Sequence, residues 1–231
     1  MLKTKIKASI KSFFTPNIIA AVVGVFIIRF VLSFLPSFQV DMGTWIAWAG
    51  RLSTGGLSHF YSDATWTQYT PGFLYWLWFV GKIGWFSPLA IKIPVIIFDI
   101  LTGFLIWKLI GKVNLKFANY SFFLYVLNPL VIFDGSVWGQ IDGILTFFVF
   151  LSAYLLIEKK NTYLSWVLAG LAFLVKPQAI AVLPFLGLIT LLNFGWKKLI
   201  PSVIAGVTTV ILGSVLFFPD NPIFGLFDLV K

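Results

Sequence analysis

Residues 18–35 of the chain read IIAAVVGVFIIRFVLSFL, and this stretch decides the fold class. It carries a single charge, Arg29, and shows no alternation of apolar and polar positions. Its length approaches the ~20 apolar residues that a helix needs to cross the hydrocarbon core of a bilayer. A second run, SVIAGVTTVILGSVLFF at residues 202–218, has the same character. A membrane β-barrel would show strands of about ten residues with a period of two, so both runs predict transmembrane helices.

The composition extends this prediction to the whole chain of 231 residues. Apolar residues make up 59% and aromatic residues 19%, and the mean hydropathy is +0.96. We therefore expect an all-α, polytopic helical membrane protein. The net charge of +9 is spread over small basic clusters between apolar runs, so no nucleic-acid partner is expected. Because cysteine is absent and His59 is the only histidine, disulfides and thiolate or multi-histidine metal sites are excluded.

The topology depends on residues 71–86, PGFLYWLWFVGKIGWF, which could span the membrane or lie in its interface. Only the interfacial interpretation puts the lysines at 108–116, 159–160 and 197–198 on the same side as the basic start MLKTKIKASIKSFF. The basic start predicts a cytoplasmic amino terminus. The membrane is left open between the plasma membrane of a prokaryote and the endoplasmic reticulum membrane of a eukaryote. The predicted seven spans are roughly Ile18–Pro36, Ala90–Ile110, Phe117–Phe133, Gly143–Ile157, Tyr163–Val175, Ala179–Phe194 and Leu199–Phe218.

Two of the eight acidic residues, Asp41 and Asp142, stand at polar breaks that this topology brings to the outer face. Ionisable groups beside apolar spans are candidates for functional sites. Asp41 opens a long outer loop, and it could act as the N-cap of an interfacial helix over Met42–Leu52 or as a general base. Gly55-Gly56 is expected to end this helix. Six of the ten tryptophans lie in this loop. An aromatic belt at the membrane surface is the favoured interpretation for most of them.

Two further breaks carry polar residues. The hairpin at 128–143 contains Ser136, Gln140 and Asp142, more polar side chains than a simple turn requires, and this favours a polar pocket. Lys176-Pro177-Gln178 divides the apolar run at 163–194, as in the discontinuous helices that line membrane cavities. Lys176 could contact an anion there or extend to the lipid headgroups.

Arg29 and Asp99 lie inside predicted spans at similar depths below the outer surface. Each would be costly without a partner in the apolar core. We therefore expect the two side chains to form an ion pair between the first and second spans.

The order of these motifs resembles that of the GT-C superfamily of membrane glycosyltransferases. The resemblance covers essentially the whole chain and rests on Val40-Asp41, Tyr69-Thr70-Pro71, the segment Ser136–Asp142 and the step Lys176-Pro177-Gln178. The last step is similar to the Lys-Gln step of lumenal glucosyltransferases that extend lipid-linked oligosaccharides. The Asp142 hairpin resembles the second acidic motif of oligosaccharyltransferases and protein mannosyltransferases.

This resemblance implies inverting transfer of a monosaccharide from a polyprenyl-phosphate sugar to a glycan, lipid or protein acceptor outside the cytoplasm. Asp41 would be the catalytic base. The residues expected to bind substrate are Tyr69, Trp138, Gln140, Asp142, Lys176 and Gln178. Met42 after Asp41 and Gly143 after Asp142 depart from the acidic patterns of several relatives. No metal or other cofactor is therefore expected, and a divalent cation is the less favoured alternative.

Known members of the superfamily continue past this length, and Pro219–Asp228 resembles the outer segment after their seventh span. We therefore expect one catalytic module over residues 1–231, truncated at its carboxyl end relative to the family. A lipid or solute transporter (flippase) would also place broken helices and buried charges around a cavity. A structural subunit is a third alternative. No inverted repeat between the two halves supports the transporter.

Overall fold

The computed structural model describes residues 16–61, 67, 69–221 and 225, and all regular secondary structure in these residues is helical. The fold class predicted from the sequence is thus confirmed as all-α. The basic amino-terminal segment and much of the segment 219–228 lie outside the described residues. The helices are α1 (Pro16–Leu32), α2 (Gln39–Gly55), α3 (Pro71–Lys82), α4 (Pro88–Ile110), α5 (Leu115–Val126), α6 (Pro129–Ile132), a π-helix (Phe133–Trp138), α7 (Asp142–Lys159), α8 (Thr162–Val175), a 3-10 helix (Pro177–Val182), α9 (Leu183–Phe194) and α10 (Trp196–Ser214).

Proline and asparagine set many of the helix starts. Pro71 and Pro129 each occupy the first turn of a helix, where the missing N–H costs nothing. Asn114 caps α5 by accepting hydrogen bonds from two backbone N–H groups. Asn161 caps α8 in the same way through the N–H of Leu164.

The number of spans is not confirmed as seven. Among the described residues, three helical stretches are long and apolar enough to cross a bilayer: Pro88–Ile110, Pro177–Phe194 and Trp196–Ser214. A fourth arises if Leu115–Val126 and Pro129–Trp138, which meet at a bend of 44°, form one broken span. Ile18–Leu32 and Thr162–Val175 are apolar but shorter. Helix α3 has 12 residues, about 18 Å at 1.5 Å per residue, too short for a core of ~30 Å.

The chain divides into two compact units. The first comprises residues up to Phe38 together with Ile91–Gly143. Its core packs Val25 of α1 against Ile96 and Trp107 of α4 and Phe122 of α5. Trp107 Nε1 donates a hydrogen bond of 2.9 Å to Asn119 Oδ1, which satisfies the buried indole.

The second unit comprises Gln39–Ala90 and the chain from Ile144 onward. Its helices approach closely at glycines, as is common in membrane proteins. A Cβ on Gly170 of α8 would lie 2.6 Å from the carbonyl oxygen of Gly206 in α10. A Cβ on Gly72 of α3 would lie 2.5 Å from the carbonyl oxygen of Leu174 in α8. Alanine at either position would therefore separate the helices.

Helix α2 departs from the prediction in two ways. It covers Gln39–Gly55 and is therefore longer than the predicted Met42–Leu52, although it ends at Gly55, with Gly56 at φ 79°, as expected. The face that carries Trp45 and Trp48 is buried in the protein. The aromatic-belt interpretation is thus wrong for these two tryptophans, because protein covers them: Phe73 of α3 packs against Trp45, and the loop residues Phe60 and Tyr69 pack against Trp48.

Candidate functional site

Lys176 lies where α8 stops and the 3-10 helix begins. Its backbone is extended, with φ −151° and ψ 131°, because the ring of Pro177 disfavours a helical conformation in the preceding residue. The break predicted from the sequence is confirmed. The side chain of Lys176 is half-buried, whereas that of Gln178, two residues further along, is exposed.

Tyr69 provides an aromatic face for Lys176. The ammonium Nζ lies 5.9 Å from the centre of the Tyr69 ring, within the range of a cation–π interaction. The structure therefore brings together two of the residues that the sequence selected.

Hydrogen bonds fix the backbone around this contact. Thr70 Oγ1 is buried, 2.8 Å from the carbonyl oxygens of both Phe173 and Leu174, near the end of α8. The hydroxyl of Tyr61 donates a hydrogen bond of 2.8 Å to the carbonyl oxygen of Tyr69. Burial, together with nearby Tyr75, raises the pKa of the Tyr61 hydroxyl well above its ordinary value.

Two tryptophans of helix α2 also pack against the Tyr69 ring. The rings of Trp45 and Trp48 meet it edge-on at 6.1 and 5.7 Å between ring centres. Asp41 lies four residues before Trp45 and hence on the same helix face, one turn nearer the amino terminus. It occupies the first turn of α2 and is not its N-cap, because the helix begins at Gln39, three residues earlier than predicted. A carboxylate in a first turn is still favoured by the helix dipole.

The Asp142 hairpin lies in the other unit and contains more helix than predicted. Asn128 is extended before Pro129, so the predicted third span breaks there, and the chain continues as α6 and the π-helix. The hairpin turn is confined to Gly139, which has φ 94°, and the two residues after it. The N–H groups of Gly139 and Gln140 both donate hydrogen bonds of 2.9 Å to the carbonyl oxygen of Asp134.

Three of the predicted substrate-binding residues lie in or beside the turn of this hairpin. The Trp138 ring packs against Phe38 with 5.2 Å between ring centres. Gln140 is half-buried beside the turn, and Asp142 is the first residue of α7. Its carboxylate, like that of Asp41, is therefore placed in the first turn of a helix.

The predicted ion pair between Arg29 and Asp99 is confirmed, and both side chains are buried. Arg29 Nε also donates a hydrogen bond of 3.0 Å to Ser136 Oγ in the π-helix. Ser136 was expected to line a polar pocket, but the structure places its hydroxyl on this internal network. The prediction was wrong because the sequence does not show that a buried arginine has donors left over after pairing with Asp99.

Sequence reasoning missed a second buried cation, Lys92, in the same unit. Its ammonium donates hydrogen bonds of 2.8 and 3.0 Å to the carbonyl oxygens of Ser33 and Leu35, just beyond the end of α1. Both carbonyls lie outside the helix and have no intrahelical N–H to accept from, so the ammonium satisfies them. A lysine at the start of an apolar run was the available signal.

No group of three or more histidine, cysteine, aspartate or glutamate side chains in the described part of the chain is arranged to hold a metal ion. A metal-independent reaction stays a prediction.

Comparison with known proteins places the chain among the membrane glycosyltransferases of the GT-C superfamily, as its motifs predicted. It belongs to the dolichyl-phosphate-mannose-protein mannosyltransferase family, whose profile matches residues 68–221. The matched region contains Tyr69, Asp142 and Lys176 but begins after Asp41.

A protein described as GPI mannosyltransferase 1 from Candida albicans is 29% identical over 142 residues, which cover 55% of this chain. The matched part is 35% of that protein, so the chain spans about a third of its relative's length. No solved structure gives a significant match.

Proposed function

We propose that this chain transfers mannose from a polyprenyl-phosphate mannose to a hydroxyl group of a glycan, lipid or protein acceptor outside the cytoplasm. The family description names a dolichyl-phosphate-mannose donor, and the Candida albicans relative is described as a mannosyltransferase. The observation that carries the proposal is the half-buried ammonium of Lys176, which lies at a helix break over the ring of Tyr69.

Lys176 suits the leaving side of the reaction. Transfer breaks the bond between the anomeric carbon of mannose and the phosphate oxygen, and negative charge grows on the departing polyprenyl phosphate. A fixed cation at that oxygen stabilises the charge most in the transition state. Gln178 would add a neutral hydrogen-bond donor two residues further along the 3-10 helix. The exposure of Gln178 fits contact with a ligand that enters from outside.

Asp41 suits the attacking side. The acceptor hydroxyl forms the new bond to the anomeric carbon, and its proton passes to the Asp41 carboxylate as general base. Attack opposite the phosphate inverts the anomeric configuration. By the same resemblance, the indole of Trp138 would stack on a sugar face, and Gln140 and Asp142 would bind sugar or acceptor hydroxyls.

The test uses membranes that contain the full chain, labelled polyprenyl-phosphate mannose and a panel of acceptors. Asp41→Asn keeps the volume of the side chain and removes the base, so we expect the rate to fall by about 10² or more. Lys176→Gln should lower kcat by about 10²-fold and raise the donor KM. Asp220→Asn, at an exposed acid, is the matched control for the first variant. Transfer at close to the wild-type rate by Asp41→Asn would disprove the role given to Asp41.

A further inference from the structure

The guanidinium of Arg29 joins α1 to the Asp142 hairpin (residues 128–143) and to the end of the helix before it. Beyond its ion pair with Asp99, Nε donates to Ser136 Oγ at 3.0 Å and Nη2 donates to the carbonyl oxygen of Val131 at 3.2 Å. A third nitrogen, Nη1, lies 3.4 Å from the carbonyl oxygen of Val126. The partners thus come from the end of α5, from α6 and from the π-helix.

Asp99 contacts the same hairpin at one position before its turn and at one position after it. A Cβ on Gly135, in the π-helix, would lie 2.9 Å from Asp99 Oδ2. A Cβ on Gly143, the second residue of α7, would collide with Asp99 Oδ1. The carboxylate therefore fits against two positions that have no side chain, one before and one after the residues Trp138, Gln140 and Asp142.

We propose that the buried Arg29–Asp99 pair is a positioning device that holds the hairpin bearing Trp138, Gln140 and Asp142. The part that concerns catalysis rests on the proposed function, whereas the part that concerns the hairpin does not. Arg29 and Asp99 are positioning residues, since they act through the hairpin and not on the substrate.

The hairpin needs an external support because its own backbone is not an α-helix. π-helices are rare, are less favourable than α-helices and are often found at functional sites. The turn itself has two N–H groups sharing the Asp134 carbonyl oxygen. The planar fork of arginine can reach several acceptors at fixed angles, which a lysine ammonium cannot do.

The absence of cysteine allows a direct test. Val137→Cys, in the π-helix beside Ser136, gives a single thiol whose reaction with a membrane-impermeant maleimide reports how often the hairpin opens. Ser136→Ala in this background removes the acceptor of Arg29 Nε. Ser33→Ala is the matched control, because Ser33 is also a buried serine of this unit but its hydroxyl bonds to the carbonyl oxygen of Phe30 in the preceding turn.

We expect labelling of the thiol introduced at position 137 to rise by about tenfold in Ser136→Ala and in Arg29→Lys, while Ser33→Ala leaves it within twofold. Thermal unfolding in detergent identifies any variant that has lost its fold, and Ser136→Ala, which keeps the ion pair, is the mildest change. Labelling in Ser136→Ala and Arg29→Lys no faster than in the Ser33→Ala control would overturn the proposal.

Transfer kinetics separate this proposal from the proposed function. In an active protein, Ser136→Ala should lower kcat by about tenfold and leave the donor KM within twofold, because the donor phosphate is assigned to Lys176. A kcat that stays at the wild-type value although labelling rises would overturn the catalytic part. Faster labelling in Ser136→Ala, in a Val137→Cys background that transfers no sugar to any acceptor, would uphold the hairpin support and contradict the proposed function.

Discussion

Replacing Tyr69 by leucine should weaken the binding of the donor phosphate by Lys176, although the lysine itself is unchanged. The substitution removes the ring whose centre lies 5.9 Å from the Lys176 ammonium. This distance is near the outer limit of a cation–π contact and the lysine is half-buried, so its contribution is about 1 kcal/mol. If that energy positions the ammonium for the donor phosphate, the donor KM should rise by about fivefold. Tyr69→Phe keeps the ring and should keep the KM.

The assay is the initial rate of mannose transfer in membranes at varied donor concentration. Tyr163→Leu is the matched control, because Lys198 lies 5.2 Å from the centre of the Tyr163 ring and neither residue has a role in the proposed site. Tyr69→Leu is then combined with Lys176→Gln, and the positioning role predicts that the tyrosine change has little further effect. Fully additive losses would refute this reasoning and would instead support direct contact of Tyr69 with substrate.

Two further predictions concern stability. Gly143→Ala should lower the free energy of unfolding by about 1–3 kcal/mol, because the added methyl group would collide with Asp99. Gly24→Ala is the control: no atom lies within 4 Å of the added carbon, so this change should be neutral or stabilising. Thermal unfolding in detergent compares the two variants. The second concerns Tyr61, whose pKa is raised by burial and by Tyr75, so its neutral form is favoured in the folded state. The stability that this preference contributes is complete below pH ~10 and is lost at higher pH, by about 1.4 kcal/mol per pH unit. Between about pH 10 and 11 the wild type should therefore lose stability relative to Tyr61→Phe in the same assay. Equal pH dependence of the two proteins would contradict this prediction.

The sequence predicted those features that depend on local chemistry. The helix break at Lys176 follows from Pro177, which acts on its immediate neighbour whatever the rest of the fold does. The end of α2 at Gly55, followed by Gly56 in a left-handed conformation, is equally local. Most helix bounds accordingly lie within a few residues of the predicted ones.

Features that depend on packing between distant segments were not predictable. Apolar helical spacing at Trp45 and Trp48 indicates a buried face but does not say whether lipid or protein covers it, and here aromatic residues of α3 and of the following loop region cover it. The same limit applies to the π-helix, whose glycine at position 135 looks like a turn residue. The side chains of Asp99 and Val95, each 2.9 Å from where a Cβ would lie, show why a glycine stands there.

Arg29 and Lys92, the cations that are buried in the described part of the first unit, separate what the sequence can predict from what it cannot. Arg29 could be assigned a partner because an apolar span offers very few carboxylates, and Asp99 is the one at matching depth. Lys92 is just as buried, yet its partners are backbone carbonyls, which every residue possesses and no sequence distinguishes. Even for Arg29 the carbonyl and serine acceptors were missed. Sequence reasoning can therefore pair a buried cation with a buried carboxylate. The structure is required to find the backbone and hydroxyl acceptors that its remaining N–H groups bind.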